Sequence, residues 1–312
     1  MSVRVASSAF ILLFFLLFLL VQDERYPAMI DCISIENLKG HVRSIHFDRN
    51  PYDRRPELEQ VAQYIHKELS RFGLEVKEDS FQWEGKTHKN ILGVKRGKTS
   101  PDRVVILGAH YDTVPGSPGA DDNASGIAVL LEVARNIQKI SLGSTLKLIA
   151  FGLEEYGYVG SLRYAEGAKR GREEIRGMIS LEMVGFTGPR QDYPSYLDPK
   201  FYPVVGDFIG IVGNENSKTL LEVARRTFKA RIPQLLCEFF LVPGNGGGME
   251  EVRSSDHSPF WDRGFPALLV TDTAFLRNPN YHLPSDTMET LDFEFMKKVA
   301  FGIYSSVVEL TK

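Results

Sequence analysis

Residues 103–109 read RVVILGA and run without a break into His110-Tyr111-Asp112. An apolar run of that length, rich in β-branched residues, is too short for a helix and fits a strand buried on both faces, as in a parallel sheet. Upstream, residues 56–73 (PELEQVAQYIHKELSRFG) put Leu58, Val61, Ala62, Ile65, Leu69 and Phe72 on one helical stripe, with proline near the start and glycine at the end. Residues 74–83 and 90–94 read as strands between that helix and the central run. Downstream, 123–137 reads as a helix with Ile127, Leu130, Leu131, Ala134 and Ile137 inward, and 145–151 (TLKLIAF) as a strand. Residues 175–184 and 266–271 are further strands, and 291–310 a closing helix. This alternation predicts an α/β fold, a single globular domain with a mostly parallel mixed β-sheet flanked by helices on both faces.

The N-terminus departs from that pattern. Residues 9–21 (AFILLFFLLFLLV) are unbroken apolar sequence, preceded by Arg4 and followed by Asp23, Glu24 and Arg25. Extended back to Val5, the run reaches the lower end of the roughly 17–25 residues that span a bilayer. No small-x-small cleavage site follows Leu20 closely, so the expectation is an uncleaved membrane anchor rather than a removed signal peptide, with the rest of the chain exported. The expected layout is therefore 1–25 as signal or anchor, 26–55 as a lead-in segment and 56–312 as the catalytic domain. Lys+Arg 37 against Asp+Glu 40 leaves a net charge of -3 without blocks of like charge, which argues against nucleic acid as a partner. The two cysteines, Cys32 and Cys237, are too few for a disulfide framework and wrongly spaced for a thiolate metal site. Residues 186–203 and 243–248 (PGNGGG) read as surface loops, the latter lacking the Lys-Ser/Thr of a phosphate cradle.

In an open parallel sheet, side chains just beyond the carboxyl ends of the strands line the ligand crevice. The 103–109 strand ends on His110 and Asp112, with Asp122 close behind, and TLKLIAF runs into Glu154-Glu155. The 175–184 strand carries Glu182, and His282 follows the 266–271 strand by one loop. Imidazoles with several carboxylates suit Zn²⁺ and related divalent ions, and a cation offsets the repulsion of carboxylates gathered at one edge. The set is large enough for two ions, which a shared carboxylate can hold about 3.5–4 Å apart.

These segments, GAHYDTVPGSPGADDNASG, LEEYGYVGS, LEMVG, SDHSPFWDRGFPA and YHLPSDT, resemble in order the two-zinc exopeptidases of family twenty-eight of the metallopeptidases, typified by bacterial leucyl aminopeptidase and, more distantly, glutamate carboxypeptidase. The resemblance runs from about residue 56 to the C-terminus. It implies that His110 and Glu182 hold one zinc, that Glu155 and His282 hold the other, and that Asp122 bridges them. It places Asp112 behind His110, accepting the spare ring N–H and fixing the tautomer, and makes Glu154 the general base. A cis bond between Asp122 and Asn123 is also implied. Where the best-known members have aspartate at the fourth ligand this chain has Glu182, a departure that bears on metal geometry. Glutaminyl cyclases share the fold with a single zinc but lack the first histidine, and His110 argues against that reading.

The implied activity is an aminopeptidase hydrolysing N-terminal peptide bonds of a peptide substrate, with a zinc-bound hydroxide as nucleophile and Glu154 shuttling the proton. An alternative keeps the site but cleaves a C-terminal acidic residue or another amide, which needs an Arg/Lys pocket for the substrate carboxylate. Arg253, Arg263 and Arg277 lie near enough in sequence for that. A third reading is a silent, receptor-like relative, against which the intact Glu154 and ligand set speak. His257 reads as structural, and His41, His46, His66 and His88 as surface histidines outside every motif.

Overall fold

A computed structural model describes residues 30–312. The chain opens with helix α1 (Ile35–Ile45), which Ser34 caps by accepting the amide of Asn37 at 3.2 Å. Leu38, Val42 and Ile45, spaced one helical turn apart, are fully buried in the core. At roughly 1.5–3 kcal/mol for each buried side chain of this kind, they make α1 an integral part of the domain. Ser34 ties it further by donating its amide to the buried Glu132. The lead-in drawn at 26–55 is thus domain structure over its described residues, and the domain begins well before residue 56.

Helix α2 (Arg55–Arg71) follows as its stripe predicts, then the hairpin of strands β1 (Glu75–Trp83) and β2 (Lys86–Lys95). Strand β3 (Ser100–His110) is the central apolar run; helix α3 (Gly126–Ile137), strand β4 (Ser144–Phe151), helix α4 (Val159–Gly171) and strand β5 (Glu174–Glu182) come next. The second half adds strand β6 (Phe208–Asn214), helix α5 (Lys218–Arg231), strand β7 (Leu236–Val242), the short helix α6 (His257–Asp262), strand β8 (Ala267–Thr271) and the long helix α7 (Phe293–Leu310).

The eight strands form one sheet in the order β1-β2-β4-β3-β5-β8-β6-β7. Its four central strands, β4, β3, β5 and β8, run parallel, so their carboxyl ends meet at one edge. β2 joins β4, and β6 joins β8, in antiparallel fashion. Helices α1, α2, α3, α5 and α7 cover one face with a single apolar core, and α4 and α6 cover the other with a second core around Phe151, Phe260 and Trp261.

Three details differ from the sequence reading. The helix drawn from residue 123 starts at Gly126, because Asp122 (φ -102°, ψ 88°) and Asn123 (φ -133°, ψ 43°) are not helical. His41 and His88 are buried rather than on the surface, His41 with its Nδ1 2.7 Å from the Tyr64 hydroxyl. Cys32 and Cys237 are both free, as their spacing implied. Among the described residues no helix is long and apolar enough to cross a membrane. The apolar run at 9–21, and the anchor expected there, lie outside the described residues.

Candidate metal centre

His110 is the last residue of β3, and Glu182 the last of β5. Glu154 and Glu155 follow β4 by three and four residues, and His282 lies in the loop after β8. Asp122 comes from the loop between β3 and α3, which is shaped by Gly119 at φ +57°. A side chain there would meet the Asp122 carbonyl oxygen at 2.3 Å, so only glycine lets the chain fold back. The Asp122–Asn123 peptide bond is cis. Asn123 then locks this loop to the end of β5: its Nδ2 donates to the Leu181 carbonyl at 2.8 Å, and its Oδ1 accepts from the amide of Met183. Three non-glycine residues in left-handed conformation, Leu153, Met183 and His282, adjoin or belong to this cluster, the kind of backbone outlier that gathers at functional sites.

Every residue singled out in the sequence arrives at this edge. His110 Nε2 lies 3.1 Å from Asp122 Oδ1 and 3.4 Å from Glu182 Oε1. His282 Nε2 lies 3.2 Å from Asp122 Oδ2 and 3.1 Å from Glu155 Oε2. The two oxygens of Asp122 thus face different histidines, and His110/Asp122/Glu182 and Asp122/Glu155/His282 are two compact donor groups sharing one carboxylate. Glu154 Oε2 stands 3.9 Å from His110 Nε2, outside the two groups that share Asp122, although His110, Glu154 and Glu155 also lie close enough together to hold an ion. Asp112 Oδ1 is 3.6 Å from His110 Nδ1, beyond hydrogen-bond length, and its two oxygens accept instead from the amides of Glu154 at 3.1 Å and Glu155 at 3.2 Å. Asp112 therefore fixes the turn that presents the Glu-Glu pair.

The donors fit zinc. A tetrahedral ion with bonds of about 2.0–2.2 Å sets its ligands about 3.4 Å apart, close to the observed separations. Asp122 Oδ1 and His282 Nε2, despite those short approaches, make no hydrogen bond, and Glu155 Oε1 is also buried without a partner. Buried polar atoms in native proteins are rarely left so, and cations at the two donor groups would give these atoms a partner. Protonation tells the same story. Burial pushes Glu154 well above the carboxylate range, with Glu182 and Glu155 adding to it against the pull of His110. Burial and the Asp122 charge take Glu155 to about 8. Burial opposes the charge on His282, but Asp122 and Glu155 outweigh it and raise the ring to about 10. Without ions, protons stand where positive charge is needed.

Several supporting residues escaped the sequence reading. Ser255 Oγ donates to Glu182 Oε2 at 2.8 Å, steering the longer side chain that occupies the fourth position. Asp256 is fully buried beside the cluster with neither oxygen hydrogen-bonded, and burial raises it to about 7. Both sit in the SDHSPFW segment, whose serine and aspartate were the available signal. His257, in the same segment, is buried with Nε2 2.8 Å from the Val252 carbonyl, a packing residue as read. Asp286 accepts the amides of Asp121 and Asp122. Arg49 is a fully buried guanidinium behind the Asp122 loop, donating to the carbonyls of Tyr111, Phe47, Pro118 and Gly119.

A cavity of about 130 Å³ adjoins Glu182 and Tyr281. Its floor is the face of β8, β6 and β7, and residues of the 186–203 loop roof it. Among the described residues, no lysine or arginine lines it. Arg253 is paired with Asp262, Arg263 with Glu166, and Arg277 packs under Phe208 while donating to Gln191 and the Phe208 carbonyl.

Residues 90–307 match the sequence profile of Peptidase family M28. The chain belongs to that family. This M28 peptidase is accordingly a metal-dependent exopeptidase, a zinc hydrolase acting on peptides. It is 32% identical to the protein YfbL of Escherichia coli (strain K12) over 95% of this chain and 96% of that one. It is 30% identical to Aminopeptidase YwaD of Bacillus subtilis (strain 168) over 72% of this chain, spanning 45% of that relative's length. Its fold superposes on an aminopeptidase from Aneurinibacillus sp. strain AM-1 with a TM-score of 0.71 at 17% identity, covering 91% of this chain and 95% of the other.

Proposed function

We propose that this M28 peptidase is an aminopeptidase with two zinc ions. The observation that carries the reading is the charge of the crevice: carboxylates and imidazoles line it, and among the described residues the adjoining cavity has no cation to receive a C-terminal carboxylate. A free α-ammonium group is the peptide end that such a crevice favours, and the arginines considered for an acidic substrate are engaged elsewhere. The name of YwaD as an aminopeptidase supports the same end.

In this reading His110 and Glu182 would hold one ion and Glu155 and His282 the other, with Asp122 shared between them, since each of its oxygens is turned to a different histidine. Bound ions supply Lewis acidity, lowering the pKa of a water and polarising the scissile carbonyl. Glu154, held beside but outside the two donor groups that share Asp122, accepts a proton from the attacking water and delivers it to the departing amine. Asp112 keeps Glu154 in place through its amide, and Ser255 keeps Glu182 turned inward. The apolar run at residues 9–21 anchors the chain at a membrane with the catalytic domain exported; fractionation of full chain against residues 30–312 tests this, and equal partition of both into the soluble fraction contradicts it.

The activity is tested by assaying the zinc-loaded protein on a free-amine peptide, its N-acetylated form and a peptide ending in glutamate. The free-amine peptide is expected to lose its first residue and the acetylated form to resist. Cleavage of the acetylated peptide with the free amine untouched refutes the assignment.

A further inference from the structure

The sheet register lays four residues in one transverse row: Glu182 is paired with Thr271, Thr271 with Gly210, and Gly210 with Glu238. Directly opposed residues of neighbouring strands point to the same face, and all four line the cavity beside the metal centre. Three strand spacings of about 4.8 Å separate the backbone of the ligand Glu182 from that of Glu238, roughly 14 Å. Gly210 carries no side chain between them, so the floor is open along the row. An added Cβ would stand 3.3 Å from the Thr271 carbonyl oxygen, a tight approach to backbone. The walls are apolar, from Val212, Phe240 and Leu269 below to Tyr193 and Leu197 above.

Glu238 is the anomaly in this lining. Among the described residues it has no hydrogen-bonding or ion-pair partner for its carboxylate, and partial burial lifts it above the usual carboxylate range. The other distal acid of the cavity, Glu251, is occupied by the Tyr196 hydroxyl at 3.0 Å. A half-buried carboxylate at the far end of an apolar channel that starts at a metal ligand matches one kind of side chain, a long aliphatic stem ending in a cation.

We infer that this cavity receives the side chain of the N-terminal residue and that Glu238 selects lysine or arginine there by pairing with the cationic tip. The inference rests on the aminopeptidase reading and adds the substrate class to it. The stem lies along Val212, Leu269 and Phe240, the tip passes over Gly210, and Glu238 receives it; glutamyl and aspartyl residues meet a repulsive charge at the same place.

The test compares kcat/KM of the zinc-loaded full chain for lysyl-, arginyl-, norleucyl- and glutamyl-p-nitroanilide, norleucine being close to the lysine stem without its ammonium. Lysyl is expected to exceed norleucyl by roughly ten- to hundredfold, the range of a charge-assisted hydrogen bond. Glu238→Gln should collapse that ratio, and Glu238→Lys should invert it and raise glutamyl turnover relative to lysyl. A wild type that prefers norleucyl, or a ratio that survives in both variants, overturns the inference while leaving the aminopeptidase reading intact. No turnover of any aminoacyl substrate overturns both.

Discussion

Arg49 lies outside every catalytic motif, yet its loss should be felt at the metal centre. Its side chain is fully buried and donates to four backbone carbonyls, those of Tyr111 at 2.6 Å, Pro118 at 2.8 Å, Gly119 at 3.0 Å and Phe47 at 3.1 Å. Burial pulls the guanidinium down to about 10, with Asp112 and Asp122 resisting, so it remains a cation at neutral pH. Arg49→Met relieves the cost of burying a charge but leaves the buried Tyr111 carbonyl without a donor, at about 1–3 kcal/mol, while the Gly119 carbonyl keeps the amide of Ala124 at 3.1 Å. It also removes a cation facing two carboxylates, and breaking such an arrangement from one side costs about 3–5 kcal/mol. The relieved burial of the charge offsets part of these two losses, so a net loss of about 3–5 kcal/mol is expected in guanidinium unfolding, larger for chelated protein than for zinc-loaded protein because the ions otherwise neutralise Asp122. Arg49→Lys keeps the charge but cannot reach all four carbonyls, and should recover only part. A loss below about 1 kcal/mol for Arg49→Met, or a lysine variant as stable as the wild type, would refute the reasoning.

Glu154→Gln should keep its zinc, since Glu154 belongs to neither of the two donor groups that share Asp122, and lose roughly 10²–10⁴ in kcat; near-normal turnover with a full metal complement would remove Glu154 from its role. His257 is buried as the neutral ring, burial holding it to about 3, against 6.5 when unfolded. Below pH 6.5 the unfolded chain takes a proton that the folded chain refuses. This contribution is therefore complete above that pH and falls away toward pH 3, by about 2 kcal/mol at pH 5. Urea unfolding of the metal-free protein at pH 7.5 and 5 measures it, and an unchanged pH dependence in His257→Gln would contradict the assignment.

The central sheet was legible because buried parallel strands are written as unbroken apolar runs: RVVILGA and TLKLIAF have no other economical reading. The candidate donors His110, Glu154, Glu155 and Glu182 are legible for the same reason, since each ends or closely follows such a run, whereas Asp122 and His282 lie 12 and 11 residues beyond one and enter through the family resemblance. What escaped depends on contacts distant in sequence. Strand β7 (LCEFFLV) is a half-buried edge with no clean alternation, and only its register with β6 shows what Glu238 faces. The stripe of α1 is interrupted by Gly40 and His41, and what makes the helix part of the domain is its docking on α3, about 90 residues later. Nothing local distinguishes Arg49 from a surface arginine, because three of its four acceptors lie more than 60 residues away. Asp112 was read as the partner of the His110 ring, whereas its oxygens hold the backbone of Glu154 and Glu155, contacts that exist only once β3 and β4 lie side by side.

Asp122 faces two donor groups at once, one through each carboxylate oxygen. Elemental analysis of the purified protein, equilibrated with zinc and freed of loosely bound metal, counts the ions directly. Two zinc per chain in the wild type, with His282→Ala reduced to one, is the predicted result. A wild type that holds a single ion, unchanged in His282→Ala, would contradict the bridged pair.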